Sequence, residues 1–183
     1  MKLSKITAAV AAIVLGAASA ASMAAGSSAK GEIRFTGEIN KSPCTITSDT
    51  QFQTVRMDSI SSDVLKDGGK STPKKFVINL QNCGGSELKG VTATFTGAAS
   101  SSEGLIKLSG VEGASLAIAD DGGSLIKLGA PSTVFNLSGG NNSLRFSAYL
   151  QGDTVEGSEG EVGSANIVGG TFDATAGFTL AYQ

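Results

Sequence analysis

Histidine and tryptophan are absent from the 183 residues, and only two cysteines, three prolines and two tyrosines occur. Without histidine there is no Ser-His-Asp or Cys-His nucleophilic machinery, and most zinc sites lose a usual ligand. Basic blocks are missing too: 14 Lys and Arg are scattered against 16 Asp and Glu, for a formal charge of −2. That balance argues against nucleic acid as a partner. The Gly-rich stretches lack the Lys-Ser or Lys-Thr that completes a phosphate-binding loop. A glycosidase needs only two carboxylates, but Asp120 and Asp121 sit in a turn sequence, and no other acids pair in an apolar setting. The sequence therefore reads as having no enzymatic activity, no metal site and no cofactor. The acids Asp153, Glu156, Glu159 and Glu161 have a spacing that fits no calcium loop, so residues 152–163 read as a solvated, Gly-rich surface loop.

Long hydrophobic runs are equally scarce. The one present, residues 6–18, follows Lys2 and Lys5 and precedes small residues around Ser22-Met23-Ala24. This is the pattern of a secretory signal, with Ala18-Ser19-Ala20 as a competing cleavage site. The run is shorter than the roughly 20 residues a spanning helix needs, and no later stretch qualifies for membrane insertion. Residues 1–24 thus read as a signal peptide, and the rest as an exported chain of single-domain size.

What the chain has is glycine, 25 residues of it, with abundant Thr, Ser and Val. That composition favours many short strands joined by tight turns, an all-β fold. An exported chain meets an oxidising compartment, where a lone cysteine pair is normally bridged. Cys44 and Cys83 are too far apart for the CxxC spacing of a redox pair. Their bond closes a loop of about 40 residues, worth about 4 kcal/mol in the chain-entropy picture.

Side chains alternate across a strand, so apolar residues on every second position mark a half-buried strand. Residues 44–47, 51–57, 75–83, 91–95, 105–108, 116–119, 125–128 and 144–150 read this way or as short apolar strands. Residues 120–123 (DDGG) and 138–142 (SGGNN) supply turn chemistry between them. A short helical turn is expected near residues 63–66 in an otherwise polar loop. The last stretch is the longest in phase: Phe172, Ala174, Ala176, Phe178, Leu180 and Tyr182 share one face almost to the C-terminal Gln183. Chain ends fray unless tied down, so something is expected to cover that face.

Residues 31–39 (GEIRFTGEI) also alternate, with Ile33, Phe35, Gly37 and Ile39 on one face and Glu32, Arg34, Thr36 and Glu38 on the other. Gly37 interrupts the apolar face, as glycines do at bulges or close backbone approaches. Two readings stand: the first strand of an ordinary sandwich, or a strand with no partner in its own chain.

Taken together, GEIRFTGEI with Cys44 seven residues after Gly37, Cys83 ending INLQNC, Gly170 fourteenth from the end, and FTLAYQ with penultimate Tyr182 resemble the type 1 fimbrial subunit family of the chaperone–usher route. The resemblance covers the chain after the signal, with no matched motif in residues 84–137. It implies an immunoglobulin-like sandwich lacking its last strand, completed by a donor strand from the neighbouring subunit. Residues 25–41 would form the N-terminal extension carrying that donor strand, with Ile33, Phe35, Gly37 and Ile39 facing the groove. Residues 42–183 would form the pilin domain, with Phe172, Ala174, Ala176, Phe178, Leu180, Tyr182 and Gln183 serving the groove and the chaperone. The implied partners are other pilus subunits, a periplasmic chaperone and an outer-membrane usher, and the implied location is a cell-surface fimbrium supporting adhesion. A minor or adaptor subunit is the nearest alternative. A secreted carbohydrate-binding sandwich is more distant, because Tyr149 and Tyr182 form no loop cluster of aromatics.

Overall fold

A computed structural model describes residues 29–37, 39, 41–84, 89–156 and 162–183. The signal read at residues 1–24, and Glu38, Glu159 and Glu161, lie outside them. The chain divides into two units, Met1–Ile39 and Asn40–Gln183. In the first, none of the described residues belongs to a strand, which departs from the strand expected over 31–39. A strand is recognised by its ladder, and this segment has none. Ile33, Phe35 and Ile39 are 77%, 89% and 102% exposed.

The second unit opens with β1 (Thr45–Ile46), the short helices α1 (Ser48–Gln51) and α2 (Ser62–Leu65), then β2 (Lys74–Cys83) and β3 (Gly90–Gly97). It continues through β4 (Ile106–Lys107), β5 (Ala114–Asp120), β6 (Phe135–Asn136) and β7 (Gly140–Gly152). The hairpin β8 (Thr154–Glu156) and β9 (Val162–Ser164) follows, and β10 (Ala176–Tyr182) ends the chain. One sheet has the order β1-β2-β7-β5-β4 and the other β10-β3-β6, with every named pairing antiparallel.

The two sheets face each other because each strand brings one apolar row inward. Ile78 and Leu80 of β2, Val91, Ala93 and Phe95 of β3, Ile118 of β5, and Leu144 and Phe146 of β7 form one buried cluster. Phe146 stands at its centre, with ring centroids 5.2 Å from Phe95, 5.2 Å from Phe135 and 5.5 Å from Phe76. Burying a ring of this size contributes roughly 1.5–3 kcal/mol from apolar area alone. The outer face of the larger sheet has its own cover, where Tyr149 packs with Leu105, Ala117 and Ala119.

Cys44 and Cys83 are bonded, with Cα atoms 4.1 Å apart, tying the chain just before β1 to the end of β2. The ladder between β2 and β7 slips between Leu80 and Cys83, where Asn82 adopts a φ of 55°. Asparagine is one of the few non-glycine residues that tolerate that conformation.

Several local expectations changed. Residues 51–57 form no strand: Gln51 closes α1, and Val55 and Met57 are half-buried with no ladder. Residues 125–128 make one bridge, Leu125 to Ala119, rather than a strand. The C-terminal strand begins at Ala176, because residues 171–175 hold only an isolated bridge from Asp173 to Ser109. The stretch read as a solvated loop contains β8 and β9, and its Asp153 is buried. The missing signal there was its hydrogen-bond partners Ser102 and Ser115, which lie far off in sequence.

Candidate functional site: an open groove beside the C-terminal strand

β10 is the outermost strand of its sheet. It pairs with β3 from Ala176↔Gly97 to Tyr182↔Val91, and no strand among the described residues takes its other edge. An edge of this kind presents a row of unpaired backbone donors and acceptors. Next to it lies a groove of about 990 Å³. Its floor is the core itself, with Phe76, Ile78, Phe95, Leu116, Ile118 and Ala148 reaching the opening.

One wall is residues 50–59. Leaving β1, this segment continues along the edge of β2 in the same direction, held by side chains rather than by a ladder. The Asn79 amide donates to the Thr50 hydroxyl at 3.0 Å, and the Gln53 side-chain amide donates to the Val77 carbonyl at 2.9 Å. Further on, the Lys74 ammonium meets the Asp58 carboxylate at 3.0 Å. Val55 and Met57 are half-buried and Arg56 and Asp58 exposed, so the wall alternates like a strand.

The other wall is residues 170–176 with Phe178. It is anchored by reciprocal backbone bonds between Asp173 and Ser109, at 2.8 and 3.1 Å. Beside them Gly110 and Gly170 pass closely. A Cβ on Gly110, whose φ is 86°, would overlap the Thr171 carbonyl, and one on Gly170 would lie 3.0 Å from the Gly110 carbonyl oxygen. Glycine permits that approach.

The residues singled out at the C-terminus divide by position. Phe172, Ala174, Ala176 and Phe178 line the groove. Leu180 and Tyr182 do not line it, and are half-buried against the same core cluster that Ala174 and Phe178 also touch. Gln183 is exposed, and its backbone amide donates a hydrogen bond to the Gly90 carbonyl at 2.9 Å. That bond is what holds an apolar face in place up to the chain end. The wall at residues 50–59 is the part that sequence reasoning misplaced, since Val55 and Met57 carried the alternation but suggested a paired strand. Charges on the groove walls are few: Arg56, Asp58 and Asp173. Among the described residues, no helix is long and apolar enough to cross a membrane.

A two-sheet immunoglobulin-like sandwich that lacks its last strand, and leaves the gap open beside the C-terminal one, is the fold of a pilin. Residues 33–183 match the profile of the Fimbrial protein family, and the chain belongs to that family. It is 44% identical, over the full length of both chains, to the Fimbria A protein of Serratia marcescens. It is 42% identical, again over the full length of both, to the Major MR/P fimbria protein of Proteus mirabilis strain HI4320. The crystal structure of the P pilus rod subunit PapA superposes with a TM-score of 0.63 at 26% identity, covering 78% of this chain and all of that one. The protein is a structural subunit of a pilus.

Proposed function

We propose that this chain is a main shaft subunit of a surface fimbrium that polymerises head to tail, each copy giving residues 31–39 to the groove of the next. The observation that carries the reading is the groove of about 990 Å³, floored by core side chains and bordered by the free edge of β10. An incoming extended segment gains backbone hydrogen bonds from that edge, and its alternate side chains fill the apolar floor. The segment with the right period is in the chain itself, with Ile33, Phe35 and Ile39 exposed and Gly37 among them. A head-to-tail contact of this sort does not close, so it builds an open filament.

Before assembly, the same groove is the place for a strand lent by a periplasmic chaperone, which hands the subunit to an outer-membrane usher. The signal-like residues 1–24 support export. The protein acts by assembly and not by catalysis. Similarity to a major fimbrial protein along its whole length supports the shaft over an adaptor role.

Adding a peptide of residues 25–41 to the purified subunit tests the reading, with a marked rise in melting temperature expected. A stable monomer that ignores the peptide would count against it. Electron microscopy of cells lacking the protein separates shaft from adaptor, since loss of whole fibres marks the shaft.

A further inference from the structure

The groove floor selects apolar side chains, but apolar side chains alone leave the register of an incoming strand loosely set. Alternation forbids a slip of one residue, because it would turn the whole face outward, yet a slip of two keeps the faces. The unequal sizes of Phe35 and Gly37 work against such a slip, and a charge on the rim would add to that discrimination. Three charged residues line the walls, and they are not equivalent. Asp58 is held by Lys74, with both carboxylate oxygens within 3.2 Å of the ammonium. Asp173 is exposed on the opposite wall, and only its backbone bonds to Ser109. Arg56 is exposed, flanked by the half-buried Val55 and Met57, and makes no ion pair among the described residues. On the facing wall the exposed Thr171, Thr175 and Ala176 are uncharged, and Asp173 carries that wall's charge.

The outward face of residues 31–39 reads Glu32, Arg34, Thr36, Glu38, with an acid toward each end and a base between. Resting on the strand-donation reading above, we propose that Arg56 is a register-selecting residue that receives a glutamate of the neighbouring copy's donor segment. The glutamate is Glu32 or Glu38, according to the polarity of insertion. Adjacent strands lie close enough for side chains directly opposite to interact. Seated correctly, Arg56 meets an acid. A slip that carries Arg34 to Arg56 replaces attraction by like-charge repulsion, which works against the wrong register as well as for the right one.

Labelled peptides of residues 29–41, titrated onto the full exported chain and followed by fluorescence anisotropy at low salt, test this. Arg56→Glu should weaken the wild-type peptide about three- to tenfold, and Arg56→Ala by about two- to threefold, with both losses shrinking in high salt. A peptide carrying Glu32→Arg or Glu38→Arg should recover most of the Arg56→Glu loss, and the one that does reveals the polarity. Unchanged binding to Arg56→Glu, or a loss that neither reversed peptide recovers, overturns the proposal and leaves strand donation standing. If the wild-type peptide fails to bind the wild-type chain, strand donation itself is wrong and the proposal falls with it.

Discussion

The Asp153 carboxylate accepts the Ser115 hydroxyl at 2.6 Å, and the same oxygen accepts the Ser102 hydroxyl at 2.6 Å. Ser115 is fully buried in β5, and Ser102 belongs to the loop before β4. One acid at the end of β7 therefore fastens a loop and a strand from elsewhere in the chain. Its own amide donates to the Gly113 carbonyl at 2.9 Å. Asp153→Ala should cost about 1–3 kcal/mol, because the buried Ser115 hydroxyl and the half-buried Ser102 hydroxyl lose this acceptor. Denaturant titration of the peptide-complemented subunit reads this directly, and a change under 0.5 kcal/mol, on the order of an ordinary surface substitution, would show that the bonds add nothing.

The Cys44–Cys83 bond joins residues 39 apart and closes β1 onto β2. Replacing both by serine should lower stability by about 2–5 kcal/mol. For a domain whose total stability is only about 5–15 kcal/mol, much of the protein should then be lost to proteolysis. The check is the steady-state amount of subunit recovered with its chaperone, against wild type.

Gly110→Ala tests the groove wall. The new Cβ would overlap the Thr171 carbonyl, at a φ of 86° that alanine rarely adopts. Residues 171–174 would have to move, so peptide affinity and folding stability should fall together, by about 2–4 kcal/mol in stability. Wild-type peptide affinity in this variant would mean the wall is more adaptable than its bonds to Ser109 suggest.

Two variants in residues 31–39 test the proposed strand donation by separating assembly from folding. Gly37→Val adds bulk to the apolar face where the segment has none, costing roughly 1–3 kcal/mol in the seated strand. Phe35→Ala leaves its place in the groove empty, on the order of 3 kcal/mol or more if that place is fully enclosed. Both subunits should still form stable chaperone complexes and fail to extend fibres in an assembly assay. Collapse of the chaperone complex itself would assign the segment to its own domain.

The pH behaviour of an exposed pair gives a further check. Glu103 accepts from the Lys127 ammonium at 2.7 Å, which holds its carboxyl below the usual range. A carboxylate whose folded pKa is depressed stabilises the fold above its unfolded pKa, and that contribution disappears as pH falls through the folded value. NMR titration should show the Glu103 midpoint rising in Lys127→Gln. An unmoved midpoint would show that the pair does not form in solution.

The alternating rows in β2, β3, β7 and β10 were legible in the sequence because period 2 is a local property of the chain. Export, read from residues 1–24, made the cysteine pair readable as a bond, and residues 31–39 stood out by the same alternation with two readings open. What covers each face was not legible. Val55 and Met57 alternate like a paired strand, yet only the packed sheets show them as a groove wall with no ladder. Phe172 to Tyr182 read as one strand, and only the fold shows that the groove takes some of them and not Leu180 or Tyr182. Asp153 looked solvated until Ser102 and Ser115 arrived beside it from 51 and 38 residues away. Local pattern fixes which side of a strand is apolar. Hydrogen-bond partners and groove walls are brought together across long loops, and only the tertiary structure specifies those meetings.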